Sequence, residues 1–323
     1  MPSLATVKAS NTTTLASFPR SFTPTALFLG GTSGIGQAMA QSFAHHTNGN
    51  SRIIIIGRNR HAAESTIASF PPPSREELRG TEEVRHEFVE CDATLMENVH
   101  KTTKELLGRL NKLNYLVLSP GFLSIKGRDE TSEGIDKKLA LYYYARWTFI
   151  HDLLPLLLKT KQSGEDVSVI TILAADTGGE INWEDLGLKH GYGFVSSNKA
   201  AITYTDYMLE SFSTRNPNIP FTHTYPGPVR TPLTSHITGL PKPLSVIINA
   251  LLYPVQITPQ DCAEWMLYAM WEGGKGGGGA WRRGARGEEL GRPRFVEEGG
   301  GEKGERLWEH TMRETRSGVE GEL

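Results

Sequence analysis

The chain has 323 residues, 38% of them hydrophobic and 22% charged, with a formal net charge of −2 and a pI near 6.6. That balance suits a globular protein with one large core, and it offers no basic surface for nucleic acid or an anionic membrane. Two cysteines, Cys91 and Cys262, exclude a disulfide framework, and no Cys/His spacing suggests a metal. The expected setting is a reducing, cytoplasmic one.

Residues 1–24 are rich in Ser and Thr and lack the apolar segment of a secretory signal. Lys8 and Arg20 are the only charges from Met1 to Phe22, thin support for a transit peptide, so an ordered lead-in is expected. From Ala26 to Leu29 an apolar run reads as a strand. It enters Gly30-Gly31-Thr32-Ser33-Gly34-Ile35-Gly36 and then the helical pattern from Gln37 to Ala44. Strand, glycine turn and helix start follow one another as a dinucleotide pyrophosphate site requires. Gly30 makes the tight turn, Gly34 lets the amides around Thr32, Ser33 and Ile35 approach phosphate oxygens, and Gly36 lets the helix pack on the strand.

Arg52 to Ile56 reads as a strand buried on both faces, and Arg60 to Phe70 as a polar helix ended by Pro71-Pro72-Pro73. A third strand is expected over Val84 to Val89, a helix over Leu95 to Leu110, and a fourth strand over Asn114 to Leu118. Ser132 to Leu158 reads as a long helix kinked near Pro155. Val167 to Leu173 and Ile219 to Tyr225 are strands flanking a helix from Phe194 to Ser213. Strands alternating with helices imply an α/β, doubly wound parallel sheet of the Rossmann type, with ligands beyond the carboxyl ends of the strands. The domain is expected over residues 25–272. The glycine- and charge-rich residues 273–323 read as a flexible extension with a short helix around Leu307 to Met312 that docks Trp308 on the body. The longest apolar run, Leu244 to Tyr253, is too short to span a membrane. It sits in a segment, Leu233 to Thr258, that reads as a lid over the substrate cleft, as a fixed helix, or as half of a homo-oligomer contact.

Four motifs make Thr25 to about Met270 resemble the short-chain dehydrogenase/reductase family. They are the Gly30/Gly34/Gly36 turn, Asp92 after the third strand, Lys199-Ala200-Ala201 in the long helix, and Pro226-Gly227-Pro228-Val229-Arg230-Thr231 after the sixth strand. The phrases Leu118 to Phe122, Glu130 to Gly134 and Leu307 to Thr311 resemble a divergent group of filamentous fungi, often found in secondary metabolism. The resemblance implies that Asp92 holds the adenine amino group, although it could also cap the helix at Leu95. It implies too that Val229 and Thr231 line the nucleotide site and that Lys199 binds the nicotinamide ribose. Where NAD-binding members carry an acidic residue, this chain has Gly57-Arg58-Asn59-Arg60, whose guanidiniums suit the 2′-phosphate of NADP. Arg58 could otherwise be a solvated loop residue.

The proton-relay half of the family pattern is degraded. The family places a tyrosine four residues before the lysine, and here Val195 stands there. Tyr192 lies seven before Lys199 and would share its face only if the helix reached that far, against which Gly191 and Gly193 argue. Alanines 174 and 175 replace the usual serine, with Asp176 and Thr177 as substitutes, and the usual helical asparagine is absent from Leu139 to Tyr144. Of Tyr142, Tyr143 and Tyr144, one is expected at the substrate cleft and the others in the core. His45-His46 and His190 read as surface or packing residues, and Asp176, Glu180, Glu184 and Asp185 as a solvated loop rather than a cation site. Two functions fit: an NADP(H)-dependent oxidoreductase for a carbonyl or alcohol of a small organic metabolite, and a nucleotide-binding homologue without redox activity.

Overall fold

The computed structural model describes residues 1–16, 19, 22–232 and 237–317, with only the backbone of Leu15, Ala16 and Lys242. Seven parallel strands form one sheet in the order β3-β2-β1-β4-β5-β6-β7. They are β1 (Thr25–Leu29), β2 (Arg52–Gly57), β3 (Glu87–Glu90), β4 (Tyr115–Leu118), β5 (Ser168–Ile172), β6 (Pro220–Thr224) and β7 (Gly279–Arg283). Strand order reverses between β1 and β4, which opens a crevice at their carboxyl ends. Alternate residues of β1 enter opposite cores: Leu27 and Leu29 on one face, Ala26 and Phe28 on the other. The all-apolar run Ile53 to Ile56 is fully buried, as a central parallel strand must be.

The expected doubly wound fold is present, with differences that have identifiable causes. The third strand is only Glu87–Glu90, because Glu82–Val84 closes into a short 3-10 turn. The long helix is not broken at Pro155, which sits inside Ala145–Gln162. The irregularity falls earlier: Lys137–Leu139 is one α-turn and Ala140–Tyr144 a π-turn, with the Ala145 amide donating to the Ala140 carbonyl. The sheet also continues past residue 272. Gly279–Arg283 pairs with β6 along its whole length, a strand that its glycine-rich flanks conceal.

The segment expected to dock a short helix forms Gly301–Thr315. Trp308 meets Trp147 and Phe212 edge-on at centroid distances of 4.9 and 4.8 Å. The hydroxyls of Tyr143 and Tyr144 pair with Thr311 Oγ1 (2.6 Å) and His310 Nε2 (2.8 Å), so both tyrosines are core residues held by this helix. Its end is clasped by His100, whose ring bonds the Asp152 carboxylate at 2.8 Å and the Thr315 carbonyl at 2.8 Å. Of the two histidines read as surface or packing residues, His45 is exposed and His46 packs, its Nε2 lying 2.9 Å from Glu264.

Burial opposes the charge on His100, but the Asp152 and Thr315 bonds outweigh it and raise its pKa above the ordinary imidazole value. A raised folded pKa stabilises below the unfolded value, and the contribution is lost as pH rises through the folded one. His100→Gln should therefore cost more stability in mild acid than at alkaline pH. Urea midpoints on either side of the imidazole range check this, and equal losses at both would refute it.

Candidate active site

The crevice holds a cleft of about 450 Å³. Its walls come from the turns that follow successive strands: Gly30 and Thr32 to Ile35 after β1, Arg58 after β2, Asp92 and Ala93 after β3, Ser119 to Leu123 after β4. Ile172 and Leu173 close it at β5, and Pro226, Thr231 and Pro232 beyond β6.

The glycine turn is built as the sequence requires. Gly30 and Gly34 have φ of +84° and +58°, the left-handed region where side chains are strained. Ser33 precedes the helix Gly34–His46 without a side-chain cap bond, so the helix N-terminus faces the cleft with no cap of its own. A Cβ on Gly34 would lie 3.2 Å from Thr231, which joins the turn to the loop after β6. Gly36 is not among the residues that line this cleft. A Cβ there would stand 2.3 Å from Ser119 Oγ and 2.6 Å from the Gly30 carbonyl, so this glycine seats the helix against β1 and β4.

Arg58 is exposed on the cleft wall and has no ion-pair partner among the described residues. Arg60 is engaged with Glu64 and Glu90 at 3.8 and 3.6 Å, which leaves one of the two expected guanidiniums for an anion. Asp92 lines the cleft and accepts from the Thr94 amide and hydroxyl at 3.1 and 2.8 Å. It does not cap the next helix. The Met96 and Glu97 amides instead reach Glu133 across the cleft-side loop, at 2.7 and 2.9 Å. Val229 turns into the core and pairs with Ile257 as an isolated bridge, so its side chain does not line the cleft.

The residues expected for proton relay are not gathered here. The helix Phe194–Arg215 starts after Tyr192, and the two never share a helical face. Tyr192 is half-buried, its phenol pushed up to about 12 by burial and the nearby Asp136 carboxylate. Lys199 is exposed, packed on Gly179, and lines a separate open hollow with Val195, Phe194 and Phe295. Thr177 donates to the Ala174 carbonyl at 2.8 Å, and neither it nor Asp176 reaches the cleft. Asp185 accepts the amides of Lys189, His190 and Gly191, so it is a loop organiser rather than part of a cation site. Among the described residues, no three His, Cys, Asp or Glu side chains could hold a metal.

Two further cleft residues come from the long helix, one expected from the tyrosine run and one not marked by the sequence. Tyr142 is the one of the three tyrosines at the cleft, its ring against Gly121 and its hydroxyl donating to the Phe122 carbonyl at 2.6 Å. Arg146, one helical turn on, lies at the cleft floor, fully buried, and burial pushes its pKa down to about 9. No pattern marked Arg146, because a single arginine in an apolar helix carries no spacing signal.

A family model described as Enoyl-(Acyl carrier protein) reductase matches residues 30–276. The chain belongs to the short-chain dehydrogenase/reductase family. Its relatives include Oxidoreductase AN1596 of Emericella nidulans, 37% identical over 79% of this chain and 71% of that one. Oxidoreductase andH of Emericella variicolor is 32% identical over 75% of this chain and 68% of that one. Among solved structures, a short-chain dehydrogenase/reductase of unknown function from Caenorhabditis elegans, with cofactor, superposes with a TM-score of 0.58 at 19% identity, covering 78% of this chain and 89% of that one. An alcohol dehydrogenase from the archaeon Thermococcus sibiricus, complexed with 5-hydroxy-NADP, gives 0.52 at 20% identity, covering 75% and 88%. Such structures share the reductase fold. No helix among the described residues is long and apolar enough to cross a membrane.

In this chain, Gly36→Ala should cost about 1–3 kcal/mol, because the added methyl meets backbone that cannot withdraw. Gly108→Ala, in the helix Met96–Arg109 with open space around it, should instead stabilise by roughly 0.5–1 kcal/mol. Urea unfolding of both variants tests the contrast.

Proposed function

We propose that the chain is an NADP(H)-dependent oxidoreductase that acts on a carbonyl or alcohol of a small organic metabolite in fungal secondary metabolism. The observation that carries the reading is the uncapped helix N-terminus and the unpaired Arg58 on one cleft wall. The fit is steric as well as electrostatic, since Gly30 and Gly34 keep the turn free of side chains where phosphates would approach. Thr32, Ser33, Gly34 and Ile35 would bind the pyrophosphate, Arg58 the 2′-phosphate and Asp92 the adenine, with Thr231 and the backbone at Val229 further along the cleft. When bound, the nicotinamide supplies hydride. The chain orients the two reactants and excludes water, and we assign the segment from Leu233 to Thr258 to covering the cleft. The first four residues of that segment lie outside the described ones. Its helix Lys242–Leu252 exposes Leu244, Val246, Ile247 and Leu251, apolar surface available to a substrate. The fungal oxidoreductases among its relatives support the metabolic setting.

A second reading, a nucleotide-binding homologue without redox activity, draws on the exposed Val195 and on Lys199 standing off the cleft. Nicotinamide fluorescence on adding protein, followed by NADPH oxidation against a panel of carbonyls, separates the two. Binding with turnover supports the first reading, and binding alone the second.

Arg58→Ala should weaken NADPH binding about ten- to hundredfold while leaving NADH nearly unchanged, since the side chain would meet only the 2′-phosphate. Fluorescence titration of both nucleotides against both proteins measures it. A ratio unchanged by the substitution would count against NADP.

A further inference from the structure

Arg146 is a buried cation without a counter-ion among the described residues. Its Nε donates to the Leu141 carbonyl at 3.2 Å, and one terminal nitrogen shares its two protons among the carbonyls of Leu118 (2.8 Å) and Ile172 (3.0 Å) and Thr171 Oγ1. The other terminal nitrogen donates to the Pro120 carbonyl at 2.7 Å. No carboxylate pairs with it among the described residues. A guanidinium has five N–H groups, two on each terminal nitrogen, so this last nitrogen keeps a proton beyond the one given to Pro120. Charge this deeply buried is costly unless it is paired, and here the neutral dipoles fix the fork while leaving its charge uncancelled.

Its place in the cleft is equally telling. Arg58 and Asp92 stand after β2 and β3, on one side of the glycine turn, whereas Arg146 lies beneath the ends of β4 and β5 on the other. A dinucleotide laid across the strand ends with its adenosine toward Arg58 brings its reacting end toward Arg146. The π-turn immediately before it adds a residue to the helical repeat, a device often found at functional sites.

We propose that Arg146 is the oxyanion-stabilising residue of this cleft, its guanidinium holding the substrate oxygen on which negative charge accumulates. The inference rests on the oxidoreductase reading for its redox step. Hydride from the reduced nicotinamide nucleotide forms a C–H bond at the carbonyl carbon. The C=O π pair moves to oxygen as an alkoxide beside Arg146, and water delivers the proton to complete the alcohol. The nucleotide leaves oxidised. The Tyr142 hydroxyl, already donating to the Phe122 carbonyl, shapes the wall and does not relay the proton. A rigid donor aimed at developing charge needs no reorganisation when the charge appears.

The test uses para-nitrophenol as an oxyanion probe, whose ionised form is yellow, with the whole protein and no nucleotide. Wild type should bind the anion over the neutral phenol by about tenfold or more, seen as a lowered apparent pKa of the bound probe. Arg146→Gln should abolish that preference, and with nucleotide present it should lose about a hundredfold in kcat at unchanged NADPH affinity. Arg146→Lys, which keeps the charge without the fork, should retain a weaker preference and carries the test should Arg146→Gln not fold. Tyr142→Phe should keep most of the preference. A wild type that does not bind the probe or leaves its acidity unchanged overturns the proposal, as does an equal preference in wild type and Arg146→Lys. A wild type that prefers the anion but oxidises no NADPH with any carbonyl would leave Arg146 as an anion site and refute the oxidoreductase reading instead.

Discussion

One guanidinium ties together the part of the sheet where the crevice opens. Arg146 reaches the last carbonyl of β4, the last carbonyl of β5 and the carbonyl of Pro120, two residues past β4, from a single helix. Carbonyl oxygens at the end of a parallel strand have no next residue to pair with, and in a buried floor they need donors. A lysine has three donors on one compact centre and could not spread them over three chain segments; the planar fork can. The cleft floor is thereby set by the helix that carries Arg146, and the loop from Ser119 to Asp136 hangs from it.

That helix is also the hinge between the cleft and the rest of the core. The π-turn displaces the side-chain sequence by one position, so Tyr142 and Arg146 look to the strand ends while Tyr143 and Tyr144 look to the helix Gly301–Thr315. Glu133, at the far end of the hanging loop, caps the helix Met96–Arg109 in place of the residue that normally precedes it. Loop and helix are thus joined by a carboxylate on two amides, the charge arrangement that a helix dipole favours.

The alternation of strands and helices was legible because parallel strands buried on both faces leave continuous apolar runs, as Ile53 to Ile56 does. The glycine turn was legible because its conformations exclude other residues. What stayed hidden has local reasons. β7 lies between glycine clusters, where Gly276, Gly277 and Gly278 read as a breaker although Trp281 packs back over Gly276. The kink moved from Pro155 to Ala140–Tyr144 because proline advertises itself and a π-turn does not. Lys199 looked anchored by its neighbours Ala200 and Ala201, yet those alanines mark the buried face and leave the lysine on the exposed one. Glu133 lies in the stretch Glu130 to Gly134, and only its three-dimensional contact with the Met96 and Glu97 amides shows what it does.

The helix Gly301–Thr315 has a bearing on how the molecule is made. Tyr143 and Tyr144 find their partners 168 and 166 residues downstream. Until that helix arrives, two phenol hydroxyls sit in an apolar interior with nothing to bond, and Trp147 lacks the indole that covers it. On a ribosome the sheet can gather strand by strand, but its core cannot close until the helix Gly301–Thr315 has emerged. A nascent chain stalled before residue 301 should therefore be a client for chaperones and proteases, and quality control can read the finished state from a segment remote from the chemistry.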